Sequence, residues 1–136
     1  MSDCIFCAIA AGEIPSVTVY EDEEVRAILD LAPGAEGHSL VLPKAHAANA
    51  AEMPEALFGH VMAVGAKIGE AQKKALGAEG YNLIQNNGEA AGQSVFHLHL
   101  HVIPRRKQDG VLGLWQPREA SQDSLRETGE ALRKAL

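Results

Sequence analysis

The chain has 136 residues, enough for one domain with a real core and no need of stapling. An apolar fraction of 46% and a charged fraction of 22% are ordinary for a soluble globular protein. The formal net charge of −6, with six histidines counted neutral, argues against a non-specific nucleic-acid or anionic-membrane binder, and no apolar run reaches the ~20 residues of a membrane span. Met1-Ser2-Asp3-Cys4 lacks the basic and apolar regions of a signal peptide, so a cytoplasmic protein is expected. Two cysteines in a reducing compartment do not suggest a structural disulfide.

In chain order, Cys4 to Ala11 suits a short helix that stops at Gly12. Val17-Thr18-Val19-Tyr20 and Val25 to Asp30 read as strands around an acidic turn. His38-Ser39-Leu40-Val41-Leu42 is a third strand, ended by Pro43. The clearest helix follows. Pro54 suits its first position and Gly77 its C-terminal cap, and Leu57, Val61, Ile68 and Ala75 lie among apolar residues at three- and four-residue steps. Gly59, Ala63, Gly65, Ala66 and Gly69 on this helix permit close packing, and His60 belongs to no motif. Tyr81 to Gln85 is a fourth strand, and the loop Asn86 to Ser94 leads into a fifth that carries three histidines. Beyond Pro104 come the basic cluster Arg105-Arg106-Lys107 and the apolar patch Val111 to Trp115. Ser124 with Glu127 offers a capping box, followed by Leu125, Leu132 and Leu136 at helical spacing. The sum is an α+β architecture: an antiparallel sheet of about five strands, one long helix and a C-terminal helix.

Chemistry concentrates in Gln93 to Ile103, where His97, His99 and His101 alternate with Leu98, Leu100 and Val102. A period of two reads as a strand with one apolar face and one histidine face. Alternate side chains on that face stand about 6–7 Å apart. The bland alternative is a solvated face that happens to be histidine-rich. Gly92-Gln93-Ser94, just before, permits close backbone approach and supplies amides and a hydroxyl for an anion, or is a plain surface loop. An anion held beside neutral imidazoles suits phosphoryl or nucleotidyl transfer. Cys4-x-x-Cys7 is the second constellation: half of a zinc site, a redox pair, or two buried inert thiols. Asp30 can form a turn and Asn86-Asn87-Gly88 can be a tight turn.

Gln93-Ser94-Val95-Phe96-His97-Leu98-His99-Leu100-His101-Val102 resembles the signature of the histidine triad (HIT) family. The resemblance extends through Cys4-Ile5-Phe6-Cys7, Ile14-Pro15, Leu29-Asp30, Gly37-His38, Pro43-Lys44-Ala45-His46 and Gln85-Asn86-Asn87-Gly88, in that order. It covers residues 4 to 106, so the chain is expected to be a single HIT domain, 1–136, with a tail from 107 to 136 that matches nothing further.

The resemblance implies a HIT-like fold, a homodimer, and hydrolysis or transfer of a purine nucleoside monophosphate, adenosine first among them. His99 is implied as the nucleophile at the α-phosphorus and His101 as a phosphate ligand. His38 is implied to assist near the phosphate or leaving group. Asn86 and Ser94, with the amides around Gln93, are implied phosphate ligands, and Asp30 with Leu31 the ribose and nucleoside contacts. Relatives of this kind hold a structural zinc with two cysteines and two histidines, which maps onto Cys4, Cys7, His46 and His97. No organic cofactor, membrane or nucleic acid is implied. Two rival readings remain: a hydrolase with His97, His99 and His101 as ligands of a catalytic zinc, and a nucleotide-binding interaction or signalling protein.

Overall fold

The computed structural model describes residues 3–136, so Met1 and Ser2, part of the stretch read for a leader, lie outside the described residues. A short helix α1 (Ile5–Ala10) precedes a hairpin of β1 (Thr18–Glu21) and β2 (Val25–Leu29). Then come β3 (Ser39–Pro43), the long helix α2 (Glu55–Leu76), β4 (Gly80–Gln85), β5 (Leu100–Arg105) and α3 (Gln122–Ala135). The five strands form one antiparallel sheet in the order β1-β2-β3-β5-β4. This is the expected α+β fold, and each expected strand before the histidine segment lies within a residue or so of its place.

Strand alternation sorts the buried side chains into two layers. Val25, Ala27, Val41, Leu100 and Val102 meet Val61, Val64 and Ile68 of α2 on one face. Ile28, Leu40 and Leu42 point the other way, against Ala10, Phe6 and Ile9 of α1. Of the small residues of α2, Gly65 and Gly69 serve the sheet, while Gly59 and Ala63 are exposed. A Cβ on Gly65 would stand 2.5 Å from Leu100 Cδ2, and one on Gly69 2.3 Å from Tyr81 Cδ1. Gly77 caps α2 in the left-handed region at φ 69°, as its sequence position suggests, while Pro54 sits one residue before the first helical position. His60 is not a plain surface histidine: its Nε2 lies 2.7 Å from Asp22 Oδ2, which ties α2 to the β1–β2 turn.

Two expectations need correcting. The histidine strand starts only at Leu100, because the Leu98 amide leaves the sheet to donate to the Ala47 carbonyl at 2.8 Å. His97 and His99 therefore lie on the approach to β5, although Leu98, Leu100 and Val102 are buried in the α2-side core as expected. At the C-terminus the cap is Ser121, whose Oγ accepts the Ser124 amide at 3.1 Å, not Ser124 itself. Helix α3 buries none of its residues.

Candidate active site and metal cluster

On the α1 face of the sheet lies a cavity of about 420 Å³. Its floor includes His99, His101, Asp30 and Leu40, and Ser94 reaches it from the loop before β5. Phe6, Ile9 and Ile14, from the N-terminal segment, close one side. Sequence reasoning assigns these three side chains themselves no role, although Phe6 lies between the two cysteines and Ile14 in Ile14-Pro15. Their signal was an apolar pair, Phe6 and Ile9, on a helix too short to bury much else.

Hydrogen bonds to groups of fixed character assign each imidazole its tautomer. His99 Nδ1 lies 2.8 Å from the His97 carbonyl, which can only accept. Nδ1 therefore carries a proton, and in the neutral ring Nε2 keeps its lone pair. The Gly34 amide donates to His38 Nδ1 at 2.9 Å, so neutral His38 has its proton on Nε2. That nitrogen lies 2.9 Å from His101 Nδ1, which must accept, leaving His101 with its proton on Nε2. Burial pushes the pKa of His38 below its ordinary value, against the pull of Asp30. Burial, then His99 and His38, pushes that of His101 down to about 4. The chain Gly34–His38–His101 is thus a neutral relay ending in an N–H donor next to a lone-pair donor on His99.

Asp30 splits its carboxylate. Oδ1 accepts the Ala32 amide at 2.9 Å, the turn role that its position allows, and Oδ2 lies 3.6 Å from His38 Nε2. Leu31 lines the cavity yet is 94% exposed. His38 stands behind His101 and touches it, and is not among the cavity's lining residues. Gln93 is tied into its own loop. Its Nε2 donates to the Ala48 and Val95 carbonyls at 2.6 and 3.1 Å, its Oε1 accepts the Gly88 amide at 2.8 Å, and its own amide donates to the Gly88 carbonyl at 3.1 Å. These bonds fix the shape of the loop before β5. Asn86 lies outside the cavity lining, with its Nδ2 3.4 Å from where a Gly92 Cβ would be. The basic run also serves the fold: Arg105 forms a two-pronged pair with Asp109, and Arg106 donates to the Leu76 carbonyl.

Cys4, Cys7, His46 and His97 come together beside the cavity, with their ligand atoms all within 4.8 Å of one another. His97 donates from Nε2 to the Pro43 carbonyl at 2.8 Å, so its Nδ1 lone pair faces the cluster. From that Nδ1, Cys4 Sγ and Cys7 Sγ are both 3.4 Å away and His46 Nδ1 is 3.2 Å away. Around a tetrahedral zinc, neighbouring sulfur and nitrogen ligands stand about 3.5 Å apart and two nitrogens about 3.3 Å. The donor set and spacing fit such an ion, and four protein ligands leave no open position. His97, His99 and His101 share no ligand cluster among the described residues: His97 belongs to the cysteine set, His101 groups with Asp30 and His38, and His99 joins neither. A catalytic metal held by all three has no support in this arrangement.

Comparison with known proteins agrees with this geometry. Residues 11–108 match the HIT domain family. The chain is 47% identical over 115 residues to Protein hit of Bacillus subtilis, covering 84% of this chain and 79% of that one. It is 38% identical over 130 residues to a Schizosaccharomyces pombe protein named adenosine 5'-monophosphoramidase, covering 95% of each. A crystal structure of a HIT family member from Bacillus subtilis superposes with a TM-score of 0.90 at 39% identity, covering 99% of this chain and 98% of that one. A zinc-bound histidine triad family protein from Mycobacterium smegmatis does so with a TM-score of 0.78 at 40% identity and 98% coverage of both. The chain belongs to the HIT domain family.

Proposed function

We propose that this protein is a nucleotide hydrolase or transferase that cleaves at the α-phosphate of a nucleoside phosphoramidate, mixed anhydride or dinucleoside polyphosphate. The observation that carries the reading is the pair of fixed tautomers facing one cavity: a lone pair on His99 Nε2 and an N–H on His101 Nε2. His99 Nε2 attacks the α-phosphorus, and the bond from phosphorus to the leaving nitrogen or oxygen breaks as the N–P bond forms. The leaving group departs with a proton taken from solvent, and the His101 Nε2–H, with His38 behind it, is placed to hold the phosphoryl oxygens. Water then attacks the same phosphorus, releasing the nucleoside monophosphate and restoring His99. Ser94 contacts the phosphate, with Asn86 at the loop's base. Asp30 and Leu31 hold the ribose and nucleoside. The named relative favours a purine substrate, adenosine first.

Zinc is the metal proposed for Cys4, Cys7, His46 and His97, where it would brace the N-terminal segment and supply no open coordination position. A homodimer is proposed for the assembly.

Steady-state hydrolysis tests the reading across adenosine and guanosine phosphoramidates, an aminoacyl adenylate and diadenosine polyphosphates. His99→Ala should lower kcat by about 10⁴-fold or more while AMP still binds, the size typical for a lost nucleophile. Near-normal turnover by that variant would defeat the mechanism. Turnover that survives in His99→Ala but vanishes with chelator would favour metal-dependent hydrolysis.

A further inference from the structure

We infer that the metal cluster sets nucleoside affinity, because the helix that carries both cysteines also walls the nucleoside pocket. This rests on the nucleotide reading above. Cys4 caps α1 and Cys7 lies one turn along it, while Phe6 and Ile9 of the same helix line the cavity. Phe6 makes edge contact with two triad rings, its centroid 6.1 Å from that of His97 and 4.9 Å from that of His99.

The two sides of the cluster are held very differently. His97 is fully buried, its Nε2 is bonded to the Pro43 carbonyl, and the next amide, of Leu98, is bonded to the Ala47 carbonyl. None of these constraints involves the cysteines. Helix α1 has six residues, of which only Ala10 is buried. A helix of that length does not persist in water by itself. Phe6 and Ile9 pack on the sheet only in part. The ligand bonds through Cys4 and Cys7 therefore add a fixed anchor to the packing of Ala10, Phe6 and Ile9 on Ile28, Leu40 and Leu42, and hold α1 in register over the pocket. Loss of the ion releases the wall and leaves His99 in place.

Metal removal from the full chain, verified by elemental analysis, tests this with AMP as the probe. By calorimetry the AMP dissociation constant should rise about tenfold or more, the loss expected when a preorganised wall must be ordered on binding. Amide exchange should quicken across Ile5–Ala10 and not across Leu100–Arg105. With adenosine phosphoramidate, KM should rise while kcat stays within about threefold, since the reacting groups keep their positions. Cys4→Ser/Cys7→Ser should reproduce this without chelator, and Phe6→Ala should raise KM while retaining the metal. Unchanged AMP affinity and α1 exchange after stripping would overturn the inference. So would a fall in kcat at constant KM, or exchange quickening equally in β5, which would make the metal a support of the whole fold. If the metal-loaded protein fails to bind AMP, the nucleotide reading itself falls, whatever α1 does.

Discussion

The two oxygens of Asp30 face different partners, Ala32 on one side and His38 on the other. A carboxylate that lines the cavity can accept bonds from ribose hydroxyls, and a 2′-deoxy substrate removes one of them. Loss of one bond to a charged acceptor costs roughly 1.5–3 kcal/mol, or about ten- to a hundredfold. The wild type should discriminate against 2′-deoxyadenosine substrates in kcat/KM by that factor, and Asp30→Ala should erase most of the difference. Asp30→Asn keeps an acceptor for the Ala32 amide, so it separates the sugar contact from the turn. Equal weakening of ribo- and deoxyribo-substrates by Asp30→Ala would leave Asp30 as a turn former alone. At this scale the convergence of His99 and His101 on one cavity was legible, because imidazoles on alternate residues are rare and costly to bury. Gln93 was not, because its bond to the Ala48 carbonyl spans 45 residues and local sequence carries no trace of that partner.

At the scale of elements, α2 was legible to within a residue because period, proline entry and glycine exit agree. The start of β5 was not, since alternation continues through His97 and His99 although the backbone has left the sheet. The pairing of β3 with β5 also joins the buried His38 to the half-buried His101, with His101 opposite Leu40 and His38 just before Ser39. This pairing makes stability depend on pH. Both histidines titrate below 6.5 in the folded chain, His101 at about 4. Between about pH 6.5 and 4 the unfolded chain therefore binds more protons, and stability present above 6.5 is lost as pH falls. For His101 the loss is on the order of 1–3 kcal/mol across that window, or several degrees in Tm for a chain of this size. Thermal melts from pH 7.5 to 4.5 should fall accordingly, and His101→Asn should flatten the slope. An unchanged slope in that variant would mean that His101 is not held neutral by its surroundings.

At the scale of the whole molecule, the body closes around its sheet while the C-terminal segment does not. Leu114 is 85% exposed and Trp115 83%, and Leu125 and Leu132 lie one heptad apart on the surface of α3. A helix of 14 residues that buries none of its own is near the length at which isolated helices fray in water, and most helical stability in proteins comes from packing an apolar stripe. The exposed stripe and the proposed homodimer account for one another: a second copy would bury Trp115 and the two leucines, and α3 would gain the packing that it lacks here. Sedimentation should then show a dimer for the full chain. Deletion of residues 110–136 should weaken self-association at least about tenfold, the loss expected when a buried aromatic anchor is removed. The sheet and α2 should keep their circular dichroism, because α3 buries nothing in its own chain. A truncated chain that dimerises as tightly as the full one would place the interface elsewhere, and a truncated chain that unfolds would mean that α3 packs on its own body in solution.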